Sequence, residues 1–96
     1  MKRRLWLCQI ITRIDNQVLT FSDIITDNNG FEKIKAGFER ANDKGFDYSE
    51  WILPGLNNTK AYGFSEDEIM TQERYLLNNL LLIWEIAREK ELIQSA

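Results

Sequence analysis

The 96-residue chain contains no histidine, one cysteine and one proline. Each shortage closes off a class of chemistry or architecture. Without histidine there is no Ser-His-Asp triad, no general base that titrates near neutrality unaided, and no imidazole for a transition-metal site. The single thiol, Cys8, cannot close an internal disulfide, so cohesion has to come from packing, and the cytoplasm is the expected setting. One proline and five glycines leave no collagen-like or low-complexity segment. No run approaches the roughly 18 apolar residues that span a bilayer, so no membrane partner is expected. A Gly-rich phosphate motif is also lacking, and Asp23 to Gly30 is too short and wrongly spaced for an EF-hand loop.

The start, Met1-Lys2-Arg3-Arg4 followed by Leu5-Trp6-Leu7-Cys8, has the outline of a signal peptide. Gln9 and Arg13 interrupt it and no small-residue cleavage site follows. Bulky Leu7, where a small residue is wanted before Cys8, argues against a lipoprotein. Asn57-Asn58-Thr59 fits a glycosylation acceptor, a chance match without a secretory signal. Cys8 falls in an expected buried strand, where a thiol acts as a small apolar residue.

What is present is ordinary globular material. The residues are 44% hydrophobic and 28% charged, with three Trp and five Phe, enough for one domain spanning residues 1–96. The net charge of −3 is unevenly spread. Lys2, Arg3, Arg4 and Arg13 face only Asp15 in residues 1–21, whereas residues 65–96 hold seven acids against three bases.

Local patterns suggest the elements. Residues 4–21 read as an antiparallel hairpin turning at Asp15-Asn16-Gln17, with Asn16 able to take positive φ. Ser22 could cap a short helical turn. Asn29, with Glu32 three residues on, starts an expected helix whose apolar face is Phe31, Ile34, Phe38 and Ala41 and whose end is Gly45. Gly37 within it would mark close approach to another backbone. Phe46 to Leu53 fits a strand or a short helix, Pro54-Gly55 a turn, and Lys60 to Tyr62 an edge strand, so the order reads ββα twice. Ser65 and Glu68 form a capping box, stapled by Phe64 and Ile69, for one long helix to the C-terminal region. Glu66, Asp67 and Glu68 suit the positive end of its dipole, and Arg88 and Lys90 the other. The fold class is therefore α+β: a small antiparallel sheet of three to four strands packed by two helices, the C-terminal one dominant.

That last helix carries Leu80-Leu81-Leu82-Ile83-Trp84, five large apolar residues that at about 100° apart run right round it. Ile69, Leu76, Leu80, Ile83 and Ala87 make a core stripe. Leu77, Leu81, Trp84 and Arg88 make a second stripe with the composition of an interface centre. These four are the candidate partner-binding residues. They support a non-catalytic interaction module, inhibitor-, immunity- or antitoxin-like in occluding a partner, and forming a homodimer through this helix.

Two other readings compete. Lys2, Arg3 and Arg4 beside Trp6 are candidate nucleic-acid contacts, with Lys33, Lys35, Arg40 and Lys44 as a second basic group on the first helix. Its acids Glu32, Glu39 and Asp43 make that face nearly neutral. The third reading is a carboxylate- or metal-dependent enzyme using Glu66, Asp67, Glu68 and Glu73, or Asp43, Asp47 and Glu50. Capping and solvation account for both groups, so no catalytic residue, metal or cofactor is assigned.

Overall fold

The computed structural model describes the backbone of residues 12–14 and 16–95 and the side chains of residues 16–89. Among the described residues six strands precede two helices: β1 (Thr12–Ile14), β2 (Gln17–Phe21), β3 (Ile25–Thr26), β4 (Glu32–Asn42), β5 (Gly45–Leu53), β6 (Asn57–Tyr62), α1 (Glu66–Asn78) and α2 (Leu80–Ser95). The sheet is antiparallel in the order β1-β2-β4-β5-β6, and β3 pairs with the start of β4. The α+β class stands. There are more strands than the three or four expected, and both helices follow the strands, so the repeated ββα order is absent.

Asn16, at φ 68, turns β1 into β2 as the sequence suggests. Residues 4–11 of the expected first strand, including Cys8, lie outside the described residues, as do Lys2, Arg3, Arg4, Trp6, Asp15 and the Lys90 side chain. The segment after Phe21 is not helical. Ser22 instead accepts the Lys35 N–H with its hydroxyl (3.0 Å) and donates to the Asp23 carbonyl (2.8 Å).

The helix expected from Asn29 to Gly45 is the long strand β4 and the turn into β5. Ile34, Ala36 and Phe38 alternate at period two as well as fitting a helical face, and all three are fully buried. Phe31 and Ala41, which completed the helical face, are exposed. Nine cross-strand pairs, from Ile34↔Leu53 to Asn42↔Gly45, satisfy the backbone and bury this alternating face against the helices, a tertiary gain that overrides local helical spacing. Gly45, at φ 140, serves this hairpin, where Asn42 Oδ1 accepts the Lys44 N–H at 2.8 Å. Gly37 does allow a close approach, chiefly by a ring: a Cβ there would sit 3.2 Å from Tyr48 Cε1.

One sheet face is covered by the helices. Leu19 and Phe21 of β2, Ile34, Ala36 and Phe38 of β4, and Trp51 and Leu53 of β5 join Leu76, Ile83 and Ala87 in a single core. The opposite face presents Thr20, Lys35, Glu39 and Tyr48, the alternate residues of the same strands.

The capping box at Ser65 is present in both directions: Glu68 N–H donates to Ser65 Oγ (3.2 Å) and Ser65 N–H to Glu68 Oε1 (2.8 Å). Phe64 and Ile69 both pack against the core. The single long helix, however, divides into two of similar length at Asn79. Its N–H is shared between the carbonyls of Tyr75 (3.1 Å) and Leu76 (3.3 Å), and its side-chain amide donates to the same Tyr75 carbonyl at 2.8 Å. A side chain that competes for the helix's own acceptor bends the helix.

Candidate functional site

Helical spacing, carried across the break at Asn79, sorts the apolar run by face. Ile83 and Ala87 are buried with Leu76, while Ile69 and Leu80 are half-buried against them, so the core stripe is placed as expected. Leu81 is 79% exposed and Leu77 57%. Trp84 packs one side against the core and turns the other to an open cleft of about 550 Å³ lined by Leu81, Trp84, Glu85, Arg88 and Glu89. Three of the four sequence candidates thus share one cleft. Leu77 stands before the bend and does not line it.

Arg88 also has a structural task. Its Nη1 donates to Glu32 Oε2 at 2.9 Å and its Nη2 to Glu32 Oε1 at 2.6 Å, tying α2 to the start of β4. This bonding holds the Glu32 carboxyl below its ordinary range. Glu85 and Glu89 were not among the sequence candidates, although each follows its predecessor at four-residue spacing from Leu81 and shares its side of the helix. Leu82 and Ile86, also four apart, line a second groove of about 130 Å³ with Leu19, Phe21, Tyr75, Asn79 and Ile83.

The second basic group does not survive as a surface. Lys33 and Lys35 lie on β4, with Lys33 paired to Asp27 (3.4 Å), and Lys44 lies in the turn. Arg40 is turned to the helical side. Its Nε donates to Asp47 Oδ2 at 2.8 Å, its Nη1 to Glu68 Oε2 at 2.5 Å and its Nη2 to the Gly63 carbonyl at 3.3 Å, and its guanidinium lies 4.7 Å from the Phe64 ring centre. The clasp pins the β4–β5 hairpin to the first turn of α1. Arg40 hydrogen bonding, then the Ser65 amide, holds Glu68 below the ordinary carboxylate range.

Of the proposed acidic groups, Glu66, Asp67 and Glu68 form the first turn of α1, and Asp43, Asp47 and Glu50 are separated. Asp43 is in the turn, and Asp47 faces Arg40 and accepts Asn42 Nδ2 at 2.6 Å. Glu50 is on the open sheet face, nearly buried. Burial pushes its pKa up, but the Thr59 hydroxyl at 2.9 Å, the charges of Lys35 and Lys60, and the Tyr48 hydroxyl outweigh this, leaving it below the ordinary range. Among the described residues, no three or more His, Cys, Asp or Glu side chains are placed to hold a metal ion. No helix among them is long and apolar enough to cross a membrane.

One polar cluster gave no sign in the sequence. Gln72 of α1, only 1% exposed, accepts Ser49 Oγ–H at 2.5 Å and Trp51 Nε1–H at 3.2 Å, and its Nε2 donates to Gln17 Oε1 at 2.9 Å. These partners come from β5 and β2, so one amide joins the helix to two strands separated by β4. Such a cluster specifies how the layers seat. Comparison of the chain with known protein families, curated proteins and solved structures gives no match.

Proposed function

We propose that this chain is a non-catalytic interaction domain that acts by occluding a partner, and that it docks through the α1–α2 face. The observation that carries this is the exposure of Leu77 and Leu81 beside the half-exposed ring of Trp84, on helices whose other side is anchored to the sheet. A rigid apolar patch with a central Trp and a neighbouring Arg has the make-up of a binding centre. The non-catalytic part is supported by the engagement of the carboxylates of the two proposed groups that are most enclosed. Asp47 and Glu68 serve the Arg40 clasp, and Glu50 is satisfied by Thr59.

A photo-reactive amino acid placed at Leu81 tests the reading in cells expressing the protein. Discrete protein adducts are expected from that position and not from Thr20, on the opposite face of the sheet. The same adduct pattern from both positions, or none from Leu81, overturns the proposal.

A further inference from the structure

The charge around the α2 cleft defines the occupant more narrowly. Arg88 is engaged by Glu32, and Glu85 and Glu89 form no ion pair with a described residue. The cleft therefore combines two large apolar groups with two carboxylates one helical turn apart. On α1 and α2 together, with Glu68 and Arg88 held in ion pairs to β4, Glu66, Asp67, Glu73, Glu85 and Glu89 stand against Arg74 among the described side chains. A second copy docking by the same face would bring two acidic rims together, an arrangement that like-charge repulsion disfavours.

We propose that the cleft receives a basic amphipathic segment of a partner protein, with its apolar residues on Leu81 and Trp84 and its cations against Glu85 and Glu89. This rests on the reading of the helical face as a docking surface and names the chemistry of what docks there. An amphipathic helix is the natural form, since Leu81, Trp84, Glu85 and Arg88 repeat at intervals that a facing helix can match. The apolar contact holds the segment, and the carboxylates select its charge and speed its approach.

The test uses the full chain and three fluorescent synthetic helical peptides that share one leucine face and carry lysines, glutamines or glutamates on the other. Fluorescence anisotropy is read at about 50 and 300 mM salt. The lysine peptide is expected to bind best and to weaken as salt rises. Leu81→Ser should weaken it about tenfold or more, from the lost burial of one leucine. Glu85→Gln with Glu89→Gln should weaken it about fivefold at low salt and flatten the salt dependence, as expected for two exposed ion pairs. If all three peptides bind alike and all respond to Leu81→Ser, the docking face stands and the basic partner falls. If no peptide binds, or binding ignores Leu81→Ser, both proposals fail. If sedimentation equilibrium instead shows a dimer that Leu81→Ser abolishes, the occupant is a second copy and the basic-segment proposal is overturned.

Discussion

Replacing Gln72 by Leu keeps a side chain of comparable size and removes the amide from the point where α1 meets the sheet. The Ser49 hydroxyl, the Trp51 indole N–H and the Gln17 amide then lose the partner that satisfies them, and all three residues are buried. A buried group left without its hydrogen bond costs about 1–3 kcal/mol. Taking the lower end for each, because a hydroxyl can turn to another acceptor, and subtracting about 1 kcal/mol for the added apolar burial, leaves a loss of about 2 kcal/mol. A domain of this size has only about 5–15 kcal/mol in total. With a urea slope of about 1.5 kcal/mol/M, the midpoint should fall by about 1.3 M, measured by tryptophan fluorescence. Adding Gln17→Leu and Ser49→Ala should recover more than half of the loss, since only the Trp51 indole N–H then remains without its partner. A loss below about 1 kcal/mol, or three substitutions whose effects simply add, would refute the claim that one amide holds the layers in register.

The pH response of the Arg40 clasp has a definite sign. Glu68 has a depressed folded pKa, so its contribution is present above the unfolded glutamate value of about 4.3 and is lost as pH falls through the lower folded value. A carboxyl-carbon NMR titration should show Glu68 protonating below that value, and Arg40→Met should move its midpoint upward; an unmoved midpoint would exclude Arg40 as the cause. Gly63 sits at φ 83, and a Cβ there would run into the Asp47 carboxylate, so Gly63→Ala should lose about 2 kcal/mol or more in urea unfolding. Leu81→Glu should change stability by no more than about 0.5 kcal/mol, whereas Ile83→Ala, two positions along the same helix, should lose about 2–4 kcal/mol. Equal losses at the two sites would mean that the faces of α2 are wrongly assigned.

How much could be read in advance depended on whether the governing interactions were close in sequence. The capping box at Ser65 and Glu68 and the positive φ of Asn16 join residues at most three apart, and both were legible. β4 was not, because Phe31, Ile34, Phe38 and Ala41 satisfy a helical spacing while Ile34, Ala36 and Phe38 satisfy a strand spacing. Pairing with β5 decided between them, and no local preference contains that pairing. The helix break at Asn79 was not legible. An asparagine in a helix is a known competitor for backbone acceptors, yet its neighbours signalled only apolar continuity.

The candidate surface follows the same division. Sequence alone determined that Leu80 to Trp84 could not all face one core, because five successive helical residues encircle the axis, and it placed Leu81 and Trp84 on a second stripe beside the core one. Only the tertiary structure decided that Trp84 is half committed to the core, that Arg88 is spoken for by Glu32 fifty-six residues away, and that Glu85 and Glu89 therefore set the charge of the cleft. The reason is physical. A helix's periodicity is written in its own residues, but the charge left on its surface depends on which ions the rest of the chain brings within reach.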